Sequence, residues 1–491
     1  MECVKHLAVK AGEEYVAGAM IQAFIKYMEN DSSRPEEALD IALKKNDVKF
    51  DFITSSIVTG SKIDLHKYLL RAIELSKHSD TKIKNCAIYA LGQISYEENI
   101  LINNSVEAIK SIVCQDYNIV VFSSALTASY SLYKQCKSLE KTVIEIFQVI
   151  LKEKDDDILH TASELLFFEA TKIPESIVKL LLAALSNTKP QNIRTIDNID
   201  QGLQIFFKKG YEDIVISFLE NILLDNREIS IKQFDSLSRE IANSQDHLNM
   251  LITRWLLSKN VRLGRCVSDL LPFEPEGGIA LSVDKRQLSD FIEGVHVFLA
   301  KKACGWLFIN HQISATAFII SLIELAPDKD IKSIIEILFN PLLISYPGSV
   351  KDYLNRVFKS ASEKITYALQ KLFDKFEKYH KALQSTCKIK ELHPSQAHRE
   401  AHNRWHSRLM LASHEEASKN SILSMIATHS VLLYGKKSIY YIHHGPKDQG
   451  TRQETPLQEF SFSVELPAMD VLNHNQLQLT LQKFKLEGCI S

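Results

Sequence analysis

Three histidines, His398, His402 and His406, stand four residues apart in a stretch that lacks Gly and Pro. On a helix this spacing stacks imidazoles along one side, as a helix-borne metal site needs. At about 100° per residue, His402 lies about 40° and His406 about 80° round from His398. They border a face that Trp405 and Leu409 are expected to bury. No carboxylate or cysteine at fixed spacing completes a ligand set, so the three remain candidate ligands and no metal is assigned. Arg399, Arg404 and Arg408 belong to the same stretch and could grip phosphate, with Lys419, Lys436 and Lys437 extending a basic patch. Arg399 falls across the helix from the other two arginines, so no single stripe forms. Other templates fail. Gly435-Lys436-Lys437-Ser438 has Ser430 where a phosphate-binding loop needs its first glycine, and Lys437 where it needs Ser or Thr. His414-Glu-Glu-Ala-Ser418 lacks the second histidine of a zinc-protease helix. No Gly-x-Ser-x-Gly elbow or Gly-x-Gly-x-x-Gly turn occurs, and no cofactor is expected.

One spacing has a family likeness. Arg408-Leu-Met-Leu-Ala-Ser-His414 resembles the catalytic Arg…His motif of HEPN-type ribonucleases, which are also helical. The resemblance implies Arg408 and His414 as a catalytic pair. Leu409 stands where that family usually has a polar residue, and Arg399 with His406 and Arg71 with His78 fit the spacing equally well. The general reading therefore leans away from an enzyme without deciding the point, and a HEPN-like ribonuclease using Arg408 and His414 stays as a further alternative.

The elements that would position these groups are helices. The 491 residues exceed one compact core. Only 16 Gly and 12 Pro punctuate them, which favours helices joined by short loops. Three segments share a pattern: Asp80-Thr-Lys-Ile83, Asp116-Tyr-Asn-Ile119 and Asp156-Asp157-Ile158. The isoleucines are 36 and 39 residues apart, each follows an Asp-rich turn suited to capping a helix, and each is preceded by another amphipathic segment. Two helices per unit at this period resemble HEAT or armadillo-type α-solenoids, over about Asp64 to Ser258. That resemblance implies a surface that holds a protein or nucleic-acid partner.

Leu271-Pro-Phe-Glu-Pro-Glu-Gly-Gly278 marks a loop or linker over roughly 272–286. Residues Ala303 to Ile323 are uncharged, but Asn310-His-Gln312 at their middle speaks against a membrane span. A buried helical hairpin with its turn at Asn310–Gln312 and Ser314 as N-cap fits better. Leu354, Phe358, Ala361, Ile365, Ala368, Leu372, Phe376, Tyr379 and Leu383 form a coiled-coil-like seam, expected to pair in a hairpin with a second helix from Ser395 to about Tyr434. An exposed seam seeking a partner helix is the alternative. Beyond Gly435, Ser438–Ile442 and Phe460–Leu466 read as strands flanking a turn at 443–450, and 477–486 favours another strand, with a helix as the alternative.

The expected fold class is mainly α: an α-solenoid of helix pairs over 1–271, further helical hairpins over 287–348, a long basic helical hairpin over 349–434, and a small β-containing element over 435–491. Residues 351–450 hold 17 Lys and Arg against 9 Asp and Glu, although the whole chain carries a net charge of −2. The eight cysteines form no C-x-x-C pair, and the first residues show no apolar signal-peptide core. These features point to a cytoplasmic scaffold or adaptor whose protein partner sits on the solenoid surface or the C-terminal hairpin, with no membrane. The alternative is a nucleic-acid-binding subunit of a prokaryotic defence or processing system, using the basic 351–450 region.

Overall fold

The structure is a computed structural model that describes residues 17–45, 52–115, 118–258, 260–271, 278–288, 294–419, 437–442, 451–456 and 465–488. The chain is mainly α-helical. Its contacts divide it into two compact units, Met1–Leu248 with Arg265–Pro272, and Asn249–Gly264 with Phe273–Ser491.

The first unit contains α1 (Ala17–Glu29), α2 (Arg34–Lys45), α3 (Phe52–Ser61), α4 (Leu65–Leu75), α5 (Thr81–Gln93), α6 (Asn99–Gln115), α7 (Ile119–Gln135), α8 (Glu140–Ile150), α9 (Asp156–Phe168), α10 (Glu175–Leu185), α11 (Ile193–Lys208), α12 (Glu212–Asp225) and α13 (Asp235–Ala242). Two further helices, α14 (Gln245–Leu257) and α15 (Val261–Leu270), are divided between the units. The helices pack in two rows. In one row α3, α5, α7, α9, α11 and α13 each lie against the next, and in the other α4, α6, α8, α10 and α12 do the same. Alanines at 87, 90, 125, 128 and 162 are fully buried and keep the first row close.

The capping expected from sequence is present, with two shifts of residue: Asn118 takes the place of Asp116, and Asp155 that of Asp156. Asp80 accepts a hydrogen bond from the Lys82 N–H and Asp155 from the Asp157 N–H, each satisfying a backbone donor in a first helical turn. At the second of the three segments Asn118 accepts from the Val120 N–H, while Asp116 lies outside the described residues.

The second unit contains α16 (Val295–Leu307), α17 (Gln312–Leu325), α18 (Asp328–Ile337), α19 (Ser349–Phe358), α20 (Glu363–Thr386), α21 (Gln396–Lys419), strands β1 (Lys437–Ile442) and β2 (Thr451–Pro456), and α22 (Ala468–Leu486). No helix among the described residues is long and apolar enough to cross a membrane. The uncharged stretch forms the hairpin α16–α17, with a correction at Ser314. His311 is the N-cap residue, and Ser314 sits inside α17. Its Oγ accepts from the Ile279 N–H at 3.0 Å, and Ser321 Oγ accepts from the Val283 N–H at 2.9 Å. From the other side, Asn249 Oδ1 accepts from the Ser282 N–H and Thr253 Oγ1 from the Asp284 N–H, both at 3.0 Å. Four backbone donors of residues 279–284 are therefore met by helix side chains, with Leu281 and Val283 buried. This segment accounts for Ser314 and Ser321 in the apolar run, whereas the Thr316 hydroxyl donates to the Gln312 carbonyl of its own helix.

The seam breaks between α19 and α20. Leu354, Ala368, Leu372 and Phe376 are buried, and α20 packs on α17 and α18. The seam is thus covered largely by helices that precede it in the chain. β1 pairs antiparallel with β2, Lys437 opposite Pro456 and Ile442 opposite Thr451. The strand expected at Phe460–Leu466 lies mostly outside the described residues, as does the segment 420–434 of the second long helix.

Residues 477–486, expected as a strand, are helical. Leu477 and Leu481, four apart, are buried, while Leu479 between them is 51% exposed. Burial follows the helical period because α22 lies along α16 rather than beside a strand. Gly305 admits this approach: a Cβ there would stand 3.2 Å from the Lys485 backbone nitrogen. Lys302, largely buried on α16, donates to the Lys485 carbonyl oxygen at 2.6 Å and so satisfies a carbonyl in the last turn of α22. Burial pushes the Lys302 ammonium below its ordinary pKa. Just before α22, the Glu465 carboxylate accepts from the Gly348 and Ser349 N–H groups at 2.7 Å, capping α19.

Candidate functional site

The strongest cluster of chemistry-bearing side chains lies in the second unit, where α21 meets α22. Helical spacing sets the imidazoles of His402 and His406 one turn apart, their ring centroids 4.4 Å from each other. α22 brings Asp470 to the same place. Its Oδ2 is 3.6 Å from His406 Nε2, and its Oδ1 is 2.5 Å from His474 Nδ1. One ligand atom from each of His402, His406 and Asp470 lies within 4.8 Å of the others. The His406 and Asp470 side chains are 26% and 11% exposed. α22 is kinked at Asn473, between Asp470 and His474, and the Asn473 side chain accepts from the Gln476 N–H to start the second piece. Trp405 stands over the cluster, its ring centroid 4.9 Å from that of His406 and 5.6 Å from that of His474.

His398, His402 and His406, put forward together as ligands, are separated by the structure. His398 lines the neighbouring groove with Arg399, Met410, Leu466 and Val471, but the convergent set takes Asp470 in its place. Asp470 and His474 escape sequence reasoning because they come from another helix, some 64 residues on. Their own signal, an acid and a histidine four apart, has meaning only once that segment is known to be helical. The face assigned to burial is also corrected. Trp405 and Leu409 remain 43% and 47% exposed, since α22 covers the histidine edge of α21 and not the face centred on Leu409.

The basic residues do not converge. Arg399, Arg404, Arg408 and Lys419 are exposed along α21, and Arg404 reaches Glu400 at 3.9 Å. Lys436 lies outside the described residues, and Lys437 begins β1. Arg408 and His414 share α21, where six residues of separation set their Cα atoms about 120° apart round the axis. The side chain of His414 is outside the described residues.

A second surface feature belongs to the first unit, a shallow groove between α10 and α12 lined by Lys179, Leu182, Ala183, Ile214, Phe218 and Asp225 among others.

No protein-family profile and no curated protein matches this chain. Among solved structures, an engineered protein is similar at 14% identity over 62% of this chain and 97% of its own, with a TM-score of 0.16. A likeness that slight defines no common fold.

Proposed function

We propose that this chain is a non-enzymatic HEAT/armadillo-type α-solenoid that serves as a scaffold or adaptor subunit of a multiprotein complex. The observation that supports the reading is a set of polar bridges between equivalent helices at a nearly constant chain separation. Asn118 donates to Thr81, Lys110 to Glu145, Ser176 to Glu140, Asn198 to Ser163 and Gln201 to Ser236, at separations of 37, 35, 36, 35 and 35 residues. A helix pair that bonds and packs mainly on its neighbours buries its core by stacking, and the remaining faces are free to hold a macromolecule. The α10–α12 groove, apolar at Leu182, Ile214 and Phe218 and charged at its rim, suits a protein segment. A cytoplasmic setting is part of the proposal, supported by the buried cysteines Cys136 and Cys304, which form no disulfide.

Native co-purification followed by mass spectrometry and reconstitution from purified components tests the scaffold reading. A stoichiometric protein partner is expected, and the charge-introducing Ile214→Asp is expected to weaken its binding at least tenfold. Recovery of the chain alone as a monomer, under native extraction, would sink the proposal.

A second reading, nucleic-acid binding, draws support from the exposed Arg399, Arg404, Arg408 and Lys419 on one helix. It predicts a gel shift at low salt that falls steeply as salt is raised, and a weaker shift for Arg404→Glu with Arg408→Glu. The absence of any shift at low salt removes it.

A further inference from the structure

We propose that His402, His406 and Asp470 form a binding site for a divalent transition metal ion, with zinc as the fitting ion. Three observations converge. The ligand types are two imidazoles and a carboxylate, the nitrogen and oxygen donors that zinc accepts in sites with an open position. Their spacing fits an ion rather than a hydrogen bond. His406 Nε2 and Asp470 Oδ2 stand 3.6 Å apart, beyond hydrogen-bond reach. Two ligands of a tetrahedral ion with bonds of about 2.0–2.1 Å are separated by roughly 3.3 Å, so a small rotamer adjustment seats both. The imidazoles are also open to a ligand: among the described residues neither His402 nor His406 makes a hydrogen bond, and both are half-buried.

The surroundings supply what a bare ligand set lacks. His474 Nδ1, 2.5 Å from Asp470 Oδ1, engages the carboxylate oxygen that the ion does not need, fixing the orientation of the other. Trp405 shields one side through its contacts with His406 and His474. His402 and His406 also line the groove that contains Arg399 and Met410, so a small ligand lodged there has access to the ion. An ion pair between Asp470 and His474 alone accounts for neither the approach of His402 nor the 3.6 Å spacing.

The test uses the full purified chain, stripped of metal and titrated with Zn²⁺ against a chromophoric chelator, and separately with Co²⁺. One Zn²⁺ per chain is expected, and Co²⁺ is expected to give the intense visible bands of a four- or five-coordinate ion. His406→Ala and Asp470→Asn each lower the Zn²⁺ affinity at least tenfold, and His474→Ala lowers it about tenfold through the orientation of Asp470. His398→Ala, in the same groove but outside the ligand set, keeps wild-type affinity. Far-UV circular dichroism confirms that each variant retains its helices. Weak, multiple binding by the wild type, the absence of the Co²⁺ bands, or unchanged affinity in folded His406→Ala overturns the proposal.

Discussion

Replacing Gly92 by alanine is expected to destabilise the first unit by about 1–3 kcal/mol, the cost of forcing an atom into a close-packed core. The direction is informative because the same change in an exposed helix adds about 1 kcal/mol of helix propensity. Gly92 lies in the last turn of α5 and is buried against α7. A Cβ placed there meets the Ala128 Cα at 2.5 Å and its Cβ at 2.8 Å, and backbone cannot swing aside as a side chain does. Only a shift of one helix relative to the other relieves the clash, which disturbs Leu91, Ala125 and Leu126 nearby. Gly202 provides the comparison. Its nearest neighbours are the Leu166 Cγ at 3.0 Å and the Leu166 carbonyl oxygen at 3.2 Å, a few tenths of an ångström too tight rather than a direct overlap, so Gly202→Ala is expected to cost less. Urea midpoints of the two variants measure the difference. A Gly92→Ala protein as stable as wild type would show that the α5–α7 approach is not tight.

Asp200→Ala is expected to lower stability by about 2–3 kcal/mol, because it leaves two backbone donors without partners. Asp200 is buried on α11 and accepts from the Ser236 and Leu237 N–H groups, each at 2.9 Å, at the start of α13. No side chain at the N-cap position of α13 performs this task, so the cap comes from the neighbouring helix α11. Asp200→Asn keeps an acceptor oxygen and is expected to cost about 1 kcal/mol. Burial raises the Asp200 carboxyl pKa even though the two N–H donors favour the charged form. The folded state therefore holds the proton more tightly than the unfolded chain. The stabilisation from that proton is present below the unfolded pKa and is lost as pH rises through the raised folded pKa. Wild type is accordingly expected to gain stability relative to Asp200→Asn as pH falls from 7 toward 4. A stability difference flat in pH would mean that burial does not govern this carboxyl.

Much of the helical framework was legible in the chain. Asp80 announces its helix because a capping side chain acts within three residues of itself, and such local chemistry needs no tertiary information; at the third segment the cap is Asp155, one residue before the expected Asp156. Leu477–Leu486 was misread since leucines at 477, 479 and 481 alternate as a strand would, whereas burial on α16 selects 477 and 481. Ser314 was read as a local cap, but its hydroxyl serves residue 279. The candidate site was half legible. The four-residue step of His402 and His406 is a property of one helix, while Asp470 reaches them only because α22 returns to this part of the second unit.

The sequence by itself determined that the chain is mainly helical, where several helices of the first unit begin, and spacings of 36 and 39 residues between their Ile83, Ile119 and Ile158 entries. These properties depend on hydrogen bonds and side-chain directions within a few residues. Tertiary structure alone decided which distant groups meet: Asp200 with the start of α13, residues 279–284 with Ser314 and Ser321, and Asp470 with His402 and His406. The physical reason is that a hydrogen-bonding or ligating side chain carries no record of its partner's position. That position is set by how whole helices pack, through apolar contact that is not directional.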